Sequence, residues 1–213
     1  MELGEVLRRR RMCRNFRDEP VPPEVVDRLL DRARRAPSAG NTQGWSFLVL
    51  EGREQLDAFW EVESDPEWRD VPSLPGVLRA PLIVVPLCSV QRYLDRYSEP
   101  DKIAAGMMEE GAWPAPFWVV DVSFATMTLL LSVVDEGLGA LFFGLRGTPG
   151  DLRSAFGIPE GWQAIGAVAI GWPEDDRGPV GSAARGRRPV DEVVHRGRWQ
   201  ADPGPARPND IPR

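Results

Sequence analysis

Histidine, lysine and cysteine are almost missing from this 213-residue chain: His195 and Lys102 occur once each, and Cys13 and Cys88 are the two thiols. One histidine and two cysteines without a CxxC spacing do not assemble a structural zinc site, and no metal site is expected. Solitary cysteines suit a reducing compartment, so a cytoplasmic protein with free thiols is the expectation. A hydrolase with a histidine base has only His195 to offer, in an ordinary amphipathic segment, and that residue reads as structural. No GxSxG, HExxH or P-loop is present, nor a GxGxxG at a strand-to-helix turn, which removes the common nucleophile, zinc-protease and dinucleotide motifs. No apolar core follows the N-terminal basic residues, so neither a secretory signal nor a membrane anchor is expected. An excess of positive charge is missing too. With 26 Lys+Arg against 32 Asp+Glu, the net charge of −6 repels nucleic acid and anionic lipid.

What the chain does have is one long apolar stretch, Phe117 to Val134. Only a thin polar line interrupts it, and a helix apolar around most of its circumference cannot face water. Asp121 breaks the run, leaving a charge-free segment shorter than the roughly 18–20 residues of a membrane span. The reading is a buried core helix, ended at Gly137-Leu138-Gly139 and followed by a strand, Ala140 to Gly144.

Other elements follow from periodicity. Helices are expected over Glu2–Arg11, from Pro22-Pro23 to Arg35, over Arg53–Val62, and after Ser89. Thr148 caps a short helix opened by Pro149, and another short helix lies near Val190–Trp199. Strands are expected at Ser46–Glu51, at Pro81–Cys88 with its far end weakened by Pro86, and over Trp162–Trp172. Pro37 to Trp45 is a polar loop, Glu63–Gly76 an acidic one, and Ile103–Pro116 a partly apolar loop near a pocket. Asp175–Ala184 reads as flexible. Irregular alternation of helices and strands favours an α+β class, with one domain over 1–200 and a proline-rich tail over 201–213.

Two arginine clusters, Arg8–Arg11 and Arg185-Gly186-Arg187-Arg188, lie at opposite ends of the chain. Guanidinium groups suit phosphate oxygens, and two clusters brought together hold one dianion. Taken singly, Arg8–Arg11 is equally a solvated helix end.

The segments RRMCRNF, PSAGNTQGW, GLGALFFG and RGRRP, in this order over nearly the whole chain, resemble the flavin-dependent nitroreductase family. The resemblance implies an α+β sandwich with a central mixed sheet flanked by helices, whose long central helices pair in an intertwined homodimer. It also implies flavin mononucleotide (FMN) at the subunit interface. Arg10, Arg11, Met12 and Arg14 fall on the family's Arg-Arg-Ser-x-Arg-x-Phe opening. Met12 takes the place of the serine there and brings no hydroxyl to the ribityl-phosphate. Pro37, Ser38, Ala39, Asn41 and Gln43 fall on the family's polar loop, which would reach the partner's flavin. Gly44 replaces the usual proline there and is expected to loosen the loop. Phe142, Phe143 and Gly144 match the segment passing the isoalloxazine, where a backbone N–H meets the N5 edge, while Arg185, Arg187 and Arg188 match the pair or trio closing on the phosphate.

By the same resemblance the reaction is ping-pong hydride transfer from NADH or NADPH, through FMN, to a small aromatic, nitro or quinone-type acceptor. No side chain is assigned as proton donor. Arg14 serves either the N1/C2 carbonyl edge or the ribityl-phosphate. Tyr97, Lys102 and Trp113 are candidate pocket residues. Relatives that fragment their flavin or remove halogen are the first alternative, the latter needing a lid clamp of the kind Tyr93, Glu99 and Lys102 offer. A flavin-binding protein without fast turnover is the second, and nucleic-acid binding through Arg8–Arg11 the third.

Overall fold

A computed structural model describes residues 1–63, 76–174 and 186–199. The expected flexible segment 175–184, the tail 201–213, Arg185 and most of the acidic loop lie outside the described residues. The chain divides into two compact units, Met1–Asp176 and Arg177–Arg213.

In the first unit the described elements run in the order α1 (Leu3–Arg9), α2 (Pro23–Ala33), β1 (Trp45–Glu51), α3 (Gly52–Glu63), β2 (Leu82–Ser89), α4 (Val90–Tyr97), α5 (Phe117–Asp135), β3 (Gly139–Phe143), α6 (Pro149–Phe156), β4 (Trp162–Ala164) and β5 (Ala167–Gly171). The strands form one sheet in the order β1-β2-β5-β3, with β4 paired to β2. The class is α+β as expected, but the sheet expected to be mixed is antiparallel in every one of these ladders. Its parallel component is an isolated bridge between Met12 and Ala140.

Period-2 alternation divides the sheet between two cores. From β2, Leu82 and Val84 face a layer with α2 and α5, built of Val26, Leu29, Leu129 and Val133. Ile83, Val85 and Leu87 face the opposite layer, with Leu56, Phe59 and Trp60 of α3 and Leu152 of α6. A strand buried on both faces is therefore continuous in apolar residues, as its sequence implied. Pro86 does not end it. Its carbonyl accepts from Ile165 N–H, so its missing donor points to the same edge, where the neighbouring strand breaks between β4 and β5. The single strand expected over 162–172 is split there. The short helix expected near 190–199 is a 3-10 turn over Val190–Glu192.

Helix α5 is long and apolar enough to cross a membrane by length and composition, yet 56% of its apolar window is buried in the fold. Its buried face carries Trp118, Val122, Ala125, Leu129 and Val133. The opposite stripe does not bury: Phe124 is 48% and Met127 39% exposed, and Val120 and Leu131 are half-buried. The spacing of four, three and four is that of a helix-packing seam.

Candidate functional site

The N-terminal arginines are positioned by the edge strand. After α1 the chain extends and lies against β3: Cys13 N–H donates to the Ala140 carbonyl at 2.8 Å, and Met12 bridges Ala140 in parallel. That bridge sets Met12 beside Ala140, with Arg10 and Arg14 two residues to either side of it. Alternation sends Arg10, Met12 and Arg14 to one side and Arg11 and Cys13 to the other. In agreement, Arg11 and Cys13 line a cavity of about 680 Å³ with Arg8 and Arg9 that does not include Arg10 or Arg14. Met12 packs part-buried against both cores, and its carbonyl accepts from Arg14 Nη1 at 3.4 Å.

Among the described residues, no strand pairs with the same edge of β3 beyond Ala140. Because the Ala140 carbonyl faces the N-terminal segment, the backbone groups of Phe142, two residues on, face that edge as well. The side chains turn away from it. Phe143 stacks on Trp60 at 5.6 Å, and the Phe142 ring fills the space over Gly166. Gly144 follows, with no protein atom within 4 Å of where a Cβ would stand. It borders a cavity of about 770 Å³ with Leu145, Gly147, Arg153 and Trp162. The bare backbone and the arginine segment thus meet on one edge.

The loop after Gly144 is held by a residue that sequence reasoning missed. Glu63 is 3% exposed, and its Oε2 accepts from Arg146 N–H at 2.8 Å and Gly147 N–H at 3.1 Å. Leu56, Phe59, Trp60 and Glu63 form the buried face of α3. Glu63→Ala strands two amides and is expected to cost about 2–4 kcal/mol in denaturant unfolding, with Glu63→Gln, which keeps an acceptor oxygen, losing about half as much or less. Equal losses in the two variants would show that the carboxylate contacts are not what matters.

The polar loop, Pro37 to Gly44, sits elsewhere in the protomer. Its hydrogen bonds run within the loop itself and to α4, α5 and the end of β2. It turns through three left-handed residues, Gly40 (φ 61°), Asn41 (φ 53°) and Gln43 (φ 50°), the last two being the non-glycine residues with positive φ among those described. Such conformations cost energy and persist where surrounding structure imposes them. Asn41 and Gln43 are nonetheless exposed, with Gln43 Nε2 on Asn41 Oδ1 at 3.2 Å. Ser38 Oγ accepts from Gln43 N–H at 2.9 Å. A strained, exposed, polar turn is the geometry of a ligand-facing element.

Beneath it lie the only two tyrosines of the chain. A Cβ at Gly40 would stand 2.9 Å from Tyr97 Cε2, and one at Gly44 would stand 2.3 Å from Tyr93 Cε2. Gly44 therefore does not loosen the loop: its missing side chain is what lets the Tyr93 ring lie against the backbone. Tyr93 O–H and Ala39 N–H both donate to Asp121 Oδ2 at 2.8 Å. Burial, followed by the Asp121 carboxylate, pushes the Tyr93 hydroxyl well above its usual range. Arg96 Nε donates to the Gly40 carbonyl at 2.9 Å while its other nitrogens bind Asp101 and Glu99. The hydrogen bond from Arg96 holds the Asp101 carboxyl down at about 2.

The other sequence candidates are placed as follows. Tyr97 and Trp113 bury against each other, ring centroids 4.6 Å apart, and the Lys102 ammonium lies over the Tyr97 ring at 5.7 Å. These three come together, and none of them lines either cavity described above. With Tyr93 committed to Asp121 and Glu99 to Arg96, the lid clamp of a dehalogenase is not assembled. Arg188 binds Glu192. Arg187 and Arg188 lie in the second unit, and Arg185 lies outside the described residues. Cys88 is 1% exposed, with burial raising its thiol to about 11, so it is no nucleophile at neutral pH. Arg79, also unanticipated, ties Phe16 O, Asn15 and Glu174 together behind the arginine segment.

Comparison with known proteins bears on this geometry. The sequence profile of the Nitroreductase family matches residues 7–172. A Methanothermobacter thermautotrophicus protein provisionally named NADH dehydrogenase/NAD(P)H nitroreductase is 30% identical over 181 residues, 84% of this chain and 81% of its own length. The crystal structure of a nitroreductase family protein from Clostridium difficile 630 superposes with a TM-score of 0.66 at 22% identity, covering 93% of this chain and 100% of that one. A Staphylococcus epidermidis structure, provisionally an NAD(P)H:FMN oxidoreductase, gives 0.69 at 18% identity over 91% and 95%. At these identities the structures establish the fold alone.

Proposed function

The chain belongs to the nitroreductase family, and on that premise we propose that it is an FMN-dependent NAD(P)H oxidoreductase. In this reading it works in the cytoplasm as a homodimer and delivers electrons to a small aromatic, nitro or quinone-type acceptor. The observation that carries the reading is the register of the arginine segment on β3. It sets Arg10 and Arg14 two residues to either side of Met12 along the edge of β3, an arrangement suited to a ligand with a phosphate at one end and a planar, carbonyl-bearing ring at the other.

The residues present fit the cofactor. Arg10 would hold the phosphate. Arg14 would offer a fixed positive charge to the flavin's carbonyl edge, where it would stabilise negative charge on the reduced ring. Backbone at Phe142 to Gly144 would border the ring, and Gly144, with open space where a Cβ would stand, would permit close approach. The Ser38–Gln43 turn of the partner subunit completes the site, since within its own protomer the turn is tied to α4 and α5 rather than to the arginines. FMN, when bound, supplies hydride acceptance from the nicotinamide and hydride donation to the acceptor. The protein orients the ring, excludes water and tunes its charge.

Absorbance tests this directly. The purified protein should be yellow or turn yellow with added FMN, and bleach anaerobically with NADH or NADPH. Arg14→Ala should weaken FMN binding at least tenfold, and Arg14→Lys should recover part of it. A colourless protein that takes up no FMN overturns the proposal.

A further inference from the structure

We infer that Asp121 and Tyr93 are positioning residues for the cofactor-facing turn, acting through Ala39 and Gly44; this rests on the flavin reading above. Asp121 is the one charged residue within the apolar body of α5, 2% exposed. A carboxylate in that setting is costly unless its hydrogen bonds are supplied. Both that are seen come from the loop and from the residue packed beneath it: Ala39 N–H and Tyr93 O–H, each at 2.8 Å on Oδ2. Tyr93 is itself fully buried, with its ring against Gly44. Asp121 thus fixes the loop at Ala39 directly and at Gly44 through the tyrosine.

Those two anchors bracket the strain. Gly40, Asn41 and Gln43, the left-handed residues, all lie between Ala39 and Gly44. A segment with two non-glycine residues in left-handed backbone, Asn41 and Gln43, relaxes unless its ends are fixed. Within the segment, Arg96 adds a grip on the Gly40 carbonyl. The exposed Asn41 and Gln43 are then presented in one fixed conformation toward a ligand in the partner's site, which preorganises binding.

The inference is tested by FMN titration of the full-length protein, followed by flavin absorbance and visible circular dichroism, with hydrogen exchange read at Ala39. Asp121→Ala should raise the FMN Kd at least tenfold, alter the visible dichroism of the bound flavin and speed exchange at Ala39. Asp121→Asn, which still offers an oxygen to Ala39, should return Kd to within threefold of the unaltered protein. Tyr93→Phe keeps the ring under Gly44 and the packing intact, and should raise Kd about threefold even if Asp121→Ala folds poorly. If the unaltered protein binds FMN and Asp121→Ala and Tyr93→Phe bind it with the same Kd and spectrum, the positioning role is overturned. Absence of recovery in Asp121→Asn overturns it also. An unaltered protein that takes up no FMN overturns the flavin reading, and the cofactor role of the pair with it.

Discussion

Restoring the family's usual proline at position 44 is expected to destabilise this chain by about 3 kcal/mol or more, a fall in Tm of roughly 6–12 °C for a protein of this size. Three costs add. A Cβ at position 44 stands 2.3 Å from Tyr93 Cε2 and 2.9 Å from Cδ2, and the ring is fully buried, so it has nowhere to swing. A proline also drives the preceding residue toward extended backbone, whereas Gln43 is left-handed at φ 50°. The amide N–H of position 44 disappears as well. A change toward a family's usual residue commonly stabilises; here the direction reverses because Tyr93 occupies the space. A double-mutant cycle with Tyr93→Val, which removes the ring atoms that a Cβ would strike, should show a coupling of about 1–3 kcal/mol in the compensating direction. Additive losses would mean that glycine and ring are not matched to each other.

That pairing shows where sequence reading reaches and where it stops. The α+β class, most helices and strands, and the buried helix α5 follow from periodicity, because amphipathic spacing is a local property. The adjacency of the arginine segment and β3 does not: Met12 and Ala140 are far apart in the chain, and only a shared sheet edge joins them. Asp121 was visible as a break in an apolar run, but its partner Ala39 lies 82 positions away. Glu63 carried a legible signal, since Leu56, Phe59, Trp60 and Glu63 fall at helical spacing on one face and an acid there must be bonded. The Gly44 replacement pointed the wrong way because a glycine in isolation reads as flexibility. Only the ring beneath it shows that the position is filled.

On the proposal that two copies of this chain pair through α5, placing glutamates at Phe124 and Met127 is expected to split the pair and lower FMN affinity at least a hundredfold, while leaving the protomer folded. Both side chains lie on the outward stripe of α5, 48% and 39% exposed, and neither belongs to the buried clusters. Within one protomer their replacement removes little packing. In a twofold pairing every change counts twice, so two substitutions bring four carboxylates into one apolar seam. Loss of each buried side chain costs about 1.5–3 kcal/mol, and like charges facing each other add several more. A helix seam of this kind does not survive that sum. The loss of FMN then follows from the proposed interfacial site: the Ser38–Gln43 turn is anchored on α4 and α5, whereas Arg10 and Arg14 lie along β3, and in that reading the two meet across the subunit boundary. Sedimentation or light scattering should report a monomer with unchanged far-ultraviolet dichroism and no flavin absorbance. A double variant that remains dimeric and yellow would place the subunit contact elsewhere and would require the turn and the arginines to serve separate ligands.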